Sequence, residues 1–398
     1  MLPGTVPLTK VEVMACGWYH MAAASRSRGD QARSKYDSDE AAAASYTEYA
    51  APLGSLHAWG CSAWGQLGTG SLFNVGVPAV VKLPVMPVEQ EDGSLRAATP
   101  GLTALACGGG HSLAITADRQ VLAWGNNGKG QLGMPTCTHE YAPALSAQLN
   151  AQGPVAAIAA GAFHSVAVLA DGTGVLQCGV PTATQPDPQH PYMLDDQLLT
   201  DANMGTSLSE MWGSIFAARG EVDTGGNAAP PPPVGPDAEP ARFVAFGEYA
   251  KRGAAVKAVA CGMAHSAAIV GDGELWVWGN NDKGQCSGVT LVEEEGGPIQ
   301  AARVLDVHAA LDGGSVSLVA CGALFTVAYS AETHRLAVCG TGAKELVDFS
   351  EAASQIVGGR RLETAPQPTD WHQIPLTSAE VSSEPRLFSC FSENFGTN

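Results

Sequence analysis

Leu105-Ala106-Cys107-Gly108-Gly109-Gly110-His111-Ser112-Leu113-Ala114-Ile115, then Val121-Leu122-Ala123-Trp124-Gly125-Asn126-Asn127-Gly128-Lys129-Gly130-Gln131-Leu132-Gly133, is a pattern that returns further along the chain. The second copy is Val259-Ala260-Cys261-Gly262-Met263-Ala264-His265-Ser266-Ala267-Ala268-Ile269, then Leu275-Trp276-Val277-Trp278-Gly279-Asn280-Asn281-Asp282-Lys283-Gly284-Gln285. Cys to His, His to Trp and Trp to Gln have the same spacing in both copies, which chance does not supply. Self-similarity over such a distance marks a repeat architecture and takes precedence over any local reading.

With this template, further copies emerge. Gly161-Ala162-Phe163-His164-Ser165 leads to Cys178-Gly179, and Cys321-Gly322-Ala323-Leu324-Phe325-Thr326 leads to Cys339-Gly340, with Phe325 in the histidine position. Near the start, Cys16-Gly17-Trp18-Tyr19-His20 is separated from Trp59-Gly60 by an insertion over residues 29–55. The interval from Gly161 to Gly262 is twice the usual one, so a degenerate unit is expected inside it, from Trp212-Gly213 to Phe243-Val244-Ala245-Phe246-Gly247. Inserts are then expected at 181–208 and 221–240. A seventh unit is expected where Glu384-Pro385-Arg386-Leu387-Phe388-Ser389-Cys390 aligns loosely with Asp118 to Trp124.

Each unit alternates apolar with small or polar residues over four to seven positions and turns at Asp171-Gly172, Asp272-Gly273 or Asp118-Arg119. That is the pattern of antiparallel strands joined by tight hairpins. One small sheet cannot bury both faces alone, so the copies must stack around an axis. The reading is all-β: a seven-bladed propeller with long inserted loops, and one domain over residues 1–398.

Cys-Gly-x-x-His-Ser, a turn, then Trp-Gly-x-Asn-x-x-Gly-Gln-Leu-Gly resembles the RCC1 (regulator of chromosome condensation) repeat family of seven-bladed propellers. The resemblance implies a platform whose loops set the task. It includes nucleotide exchange on the small GTPase Ran with docking on chromatin, and a light-sensing branch built on tryptophans in Gly-Trp-Arg-His-Thr motifs. Only Gly17-Trp18-Tyr19-His20-Met21 approaches that motif, so the tryptophan cluster of a photosensor is not expected.

Lys and Arg number 21 against 39 Asp and Glu, a formal charge of −18. Such a chain repels phosphate backbones and anionic lipid, which disfavours nucleic acid and membrane as partners. No stretch approaches the roughly 20 apolar residues that span a bilayer, and Met1 to Val13 is not a secretory signal, so the expected location is cytoplasmic. The ten cysteines include no Cys-x-x-Cys pair and are expected to be reduced and buried.

The histidines His20, His111, His164 and His265 occupy equivalent positions in different units, so a shared metal site is not expected. Each is read as a buried imidazole that ties its own strand to a neighbouring turn. The glycines Gly17, Gly60, Gly108, Gly125, Gly161, Gly262, Gly279, Gly322 and Gly340 are read as close-packing and turn positions, and Trp59, Trp124 and Trp278 as blade anchors. No phosphate-binding loop, nucleophile elbow or His-Glu-x-x-His motif is present. No catalytic residue, cofactor or metal is expected.

The expected function is therefore a non-catalytic scaffold that binds the proteins of a multi-subunit complex. By analogy within the family, the first specific assembly is ciliary or axonemal and microtubule-associated, and the alternative is exchange on a small GTPase. Candidate partner-binding loops carry Tyr36, Tyr46 and Tyr49 in the first insert, and the Pro230 to Pro233 run in the last, although each insert reads equally as a spacer.

Overall fold

The computed structural model describes residues 11–25, 55–89, 95–172, 174–180, 237–247, 254–289, 297–341 and 371–374. Strands dominate them, because the repeated Val, Ile, Ala and Trp positions alternate between two faces of a sheet. Blade 1 is β1 (Val11–Cys16), β2 (His20–Ser25), β3 (Ser55–Gly60) and β4 (Val75–Val81). A hairpin of β5 (Met86–Glu89) and β6 (Leu95–Ala98) leads to blade 2. Blade 2 is β7 (Leu102–Cys107), β8 (His111–Thr116), β9 (Val121–Gly125) and β10 (Glu140–Leu145), followed by the one-turn α1 (Ala147–Asn150).

Blade 3 is β11 (Val155–Ala160), β12 (His164–Leu169), β13 (Val175–Gly179) and β14 (Arg242–Ala245). Blade 4 is β15 (Val256–Cys261), β16 (His265–Val270), β17 (Glu274–Gly279) and, after the short β18 (Ile299–Gln300) that pairs with β14 of blade 3, β19 (Ala302–Val304), and α2 (Val307–Ala310) follows it. Blade 5 is β20 (Leu318–Cys321), β21 (Phe325–Ser330), β22 (Arg335–Gly340) and β23 (His372–Ile374). Within each blade the strands run antiparallel in chain order, and the rims of blades 3 and 4 are spliced by a parallel pair, Val244 with Ile299 and Ala245 with Gln300.

The hairpin turns are where the sequence placed them. Arg119 takes φ 60° in the Asp118-Arg119 turn, and Gly172 and Gly273 take φ 72° and 98°. Neither α-helix among the described residues is long and apolar enough to cross a membrane.

Blades bury their faces against one another. One apolar cluster joins blade 1 to blade 2 through Leu56, Val81, Leu102 and Trp124, and a second joins blade 2 to blade 3 through Leu113, Val121, Leu132 and Leu176. A third, with Val168, Phe246, Val270 and Trp278, joins blades 3 and 4, and a fourth, with Ile269, Val277, Val304 and Ala328, joins blades 4 and 5. On the axis Trp18, Ala162, Phe163, Met263 and Ala323, from four different blades, meet in a small plug.

The third cluster corrects the expectation of a blade from Trp212 to Gly247. Blades 3 and 4 pack directly, with Ala162 N donating to Met263 O at 3.0 Å. The long interval between Gly161 and Gly262 arises because residues 181–236 are inserted between β13 and β14, and the segment around Phe243 is the outer strand of blade 3. The described residues thus make five blades. Tyr36, Tyr46 and Tyr49, Pro230 and Pro233, and the expected seventh unit at Glu384–Cys390 all lie outside them.

Candidate functional site

The repeated polar residues form a belt around the axis, and its geometry decides what they can do. His20 Nε2 lies 2.8 Å from Ser112 Oγ, His111 Nε2 is 2.9 Å from Ser165 Oγ, His164 Nε2 is 2.8 Å from Ser266 Oγ and His265 Nε2 is 2.9 Å from Thr326 Oγ1. Each imidazole therefore ties its own strand to a hydroxyl on the second strand of the next blade, where the sequence reading expected a neighbouring turn. The hydroxyl that meets the preceding blade's imidazole is on the residue just after the histidine position of its own unit: Ser112, Ser165 and Ser266 after histidines, and Thr326 after Phe325. The serines were visible in the Cys-Gly-x-x-His-Ser motif, but their partners were not.

A second partner fixes the direction of these bonds. Ser112 Oγ donates to Gln66 O at 2.8 Å, Ser165 Oγ to Gln131 O at 2.6 Å and Thr326 Oγ1 to Gln285 O at 2.7 Å. A hydroxyl has one proton to give, so at these three joints it accepts from the ring and Nε2 carries the hydrogen. The glutamines belong to the Gly-Gln loops after the third strand, and Trp124 Nε1 donates to the same Gln66 carbonyl at 2.9 Å. Blade 3 has the 181–236 insert in place of this loop, and Trp278 Nε1 donates instead to Gln177 Oε1 at 2.7 Å.

The glycines make room for the belt. A Cβ at Gly108, Gly161 or Gly262 would overlap the imidazole three residues ahead, and at Gly108 also the carbonyl of Gly161. Gly60, Gly125, Gly279 and Gly340, at the ends of the third strands, take φ between 98° and 110°, where L side chains are strained. Trp124 and Trp278 are fully buried and Trp59 is half-buried.

Burial sets the chemistry of the belt. His20 and His164 are pushed down to about 4, and His111 and His265 to about 3, first by desolvation. Burial likewise pushes the thiols of Cys178, Cys261 and Cys339 up to about 12. Neutral imidazoles without solvent access and protonated thiols serve as packing groups, not as general acids, bases or nucleophiles. Among the described residues no group of three or more His, Cys, Asp or Glu side chains could hold a metal ion. The imidazoles are spread around the axis, as their positions in separate units implied, so what remains for recognition is the rim and the segments that leave it.

Comparison with known proteins agrees with this geometry. Models of the regulator of chromosome condensation (RCC1) repeat match residues 54–115 and 118–168, and a second model of the same repeat matches 102–131 and 256–285. The chain is 33% identical over 219 residues to the human RCC1 domain-containing protein 1, covering 51% of this chain and 53% of that one. It is 26% identical over 292 residues to the human probable E3 ubiquitin-protein ligase HERC6, covering 73% of this chain and 22% of that one. The chain spans about half or less of the length of these relatives. Among solved structures, human WBSCR16 superposes with a TM-score of 0.55 at 17% identity, covering 95% of this chain and 71% of that one.

Proposed function

Because the chain belongs to the RCC1 repeat family, we propose that it is a non-catalytic propeller that binds other proteins through its rim and inserted segments. The observation that supports this reading is the fate of the repeated polar residues. Every histidine of the belt is buried and bonded to the next blade, so the side chains that look most like chemistry in the sequence are used in holding the sheets together. Packed blades whose sequence carries long inserts, at 26–54 between β2 and β3 and at 181–236 between β13 and β14, support a scaffold for recognition. The formal charge of −18 favours basic protein surfaces over polyanions as partners.

Within this reading, a ciliary or axonemal, microtubule-associated complex is the specific assembly to test, in a cytoplasmic compartment. Affinity purification of the tagged full chain followed by mass spectrometry is the test. Stoichiometric recovery of axonemal proteins supports the specific assembly, and recovery of another stable complex supports the scaffold alone. Recovery of a nucleotide-free small GTPase, with accelerated nucleotide release in a purified exchange assay, overturns the non-catalytic reading in favour of exchange activity.

A further inference from the structure

The belt of imidazole and hydroxyl ends at Met21 on blade 1, where later blades carry serine or threonine, and at Phe325 on blade 5, where earlier blades carry histidine. Between those ends, three of its four joints are closed in one way. A carbonyl of the Gly-Gln loop receives two donors from the next blade: Ser112 Oγ and Trp124 Nε1 meet Gln66 O, Ser165 Oγ and Cys178 Sγ meet Gln131 O, and Thr326 Oγ1 and Cys339 Sγ meet Gln285 O. The same glutamines pack on the glycine that ends the third strand, where a Cβ on Gly125, Gly179 or Gly340 would lie within 3.1 Å of the glutamine Cα.

The joint between blades 3 and 4 is built differently. Ser266 Oγ has His164 Nε2 at 2.8 Å and Cys261 Sγ at 3.5 Å, and among the described residues no loop carbonyl takes its proton. Trp278 Nε1 turns to the Gln177 side chain, and the atoms nearest a Cβ on Gly279 belong to its own blade, to Ala264 and His265. The loop clamp is therefore missing here. These two blades are tied at the rim instead: β14 pairs in parallel with β18, Ala301 N donates to Ala245 O at 3.0 Å, and Arg242 Nε donates to Gly297 O at 2.7 Å. The same stretch reaches back to blade 2, where Asp237 bridges to Thr136 and Ala238 N donates to Pro135 O at 3.0 Å. Residues 237–245 thus form a strap over three blades. Apolar clusters line all four seams, so apolar burial does not set this one apart.

We propose that the seam between blades 3 and 4 is a latched joint: the strap at the rim does the holding that a loop carbonyl does elsewhere, and its release lets these two blades part while the other seams stay shut. Separating a clamped pair breaks the bond from imidazole to hydroxyl and both bonds to the loop carbonyl. At this seam Ser266 has no carbonyl bond to lose, so once the rim lets go the second strands separate at the lowest cost of the four. Such opening is sub-global, confined to one seam and set by a few backbone bonds on the outermost strands. Each seam carries a buried thiol that reports on it. Cys107 lies between blades 1 and 2, Cys178 between 2 and 3, Cys261 between 3 and 4, and Cys321 between 4 and 5. Cys261 sits at the parting end, beside Ser266.

Thiol labelling of the full chain in urea below the unfolding transition, read residue by residue by mass spectrometry, tests this. Ala301→Pro removes the N–H that donates to Ala245 O, and Arg242→Ala removes the bond to Gly297 O. Each should speed the labelling of Cys261, Ala301→Pro at least tenfold, and leave Cys107, Cys178 and Cys321 within twofold of the unmodified chain. Should these variants fail to fold, the unmodified chain still decides: the amides of β14 and β18 should exchange with the same urea dependence as the labelling of Cys261. A rate at Cys261 that neither variant changes, four thiols that speed up together, or exchange of β14 and β18 while Cys261 stays unlabelled would overturn the latch.

Discussion

His111 of blade 2 and Ser165 of blade 3 meet at 2.9 Å in a site closed to solvent, and the same pair of positions joins each described blade to the next. One hydroxyl there holds two strands and a loop, because it accepts from one imidazole and donates to the Gln131 carbonyl. The joint therefore carries stability out of proportion to its size.

Removing the ring at one joint should show this. His111→Ala opens a cavity and leaves Ser165 with one partner, and a loss of about 2–4 kcal/mol is expected in urea unfolding. Ser165→Ala should cost more than the usual neutral hydrogen bond, about 1–3 kcal/mol, because the buried Nε2 hydrogen of His111 then has no acceptor. A change below about 0.5 kcal/mol in either variant would show that the joint is not a source of stability.

Acid should loosen the ring. The four imidazoles titrate near 3 to 4 in the folded chain and near 6.5 when unfolded, so between those values the unfolded chain binds more protons. Stability from this source is fully present above pH 6.5 and is lost as pH falls towards 4, by about 1.4 kcal/mol per pH unit for each histidine. Unfolding free energies measured from pH 7 to pH 5 should fall, and the slope should be shallower in a His265→Phe variant.

Glycine positions should divide into two kinds. Gly108→Ala places a methyl against the His111 ring and the Gly161 carbonyl, and it should destabilise by about 3 kcal/mol or prevent folding. Gly128→Ala meets only Asn126 Oδ1 at 3.4 Å and His139 Cε1 at 3.7 Å, and thermal melting should detect little change. Equal effects at the two sites would contradict the packing described for the belt.

Thiol labelling offers an independent check on burial. Cys178, Cys261, Cys286, Cys321 and Cys339 are buried with their thiols held protonated, while Cys16 and Cys137 are half-exposed. With an aromatic disulfide reagent at pH 8, Cys16 and Cys137 should react in the native protein, and those five thiols, with the equally buried Cys61 and Cys107, only after denaturant is added. Mass spectrometry of the labelled peptides identifies which have reacted.

Much of this architecture was legible because each blade's strands are adjacent in sequence and repeat one local motif. Trp124 and Gly125 could be assigned from Trp278 and Gly279 before any contact was known. The belt was less legible, since His20 and Ser112 are 92 residues apart, His111 and Ser165 54, and His164 and Ser266 102. Inserts set those distances, and no single spacing links an imidazole to its acceptor. The same cause misled the count between Gly161 and Gly262. In one dimension an insert before the fourth strand looks like an additional unit, and it takes the bond between His164 and Ser266, with the apolar cluster beside it, to show that the two blades touch. Gln177 could not have been foreseen, because its role follows from the loss of the Gly-Gln loop in blade 3.

Since each of blades 2, 3 and 4 presents a hydroxyl on one flank and an imidazole on the other, deleting or duplicating one of these units rejoins compatible edges. A gene encoding such a ring can gain or shed copies in one recombination event without any compensating point change, provided that the breakpoints keep this phase. The two edges that break the rule, Phe325 and Met21, cannot be rejoined to an ordinary unit in this way, and they fix where along the lineage of copies this chain is able to lengthen.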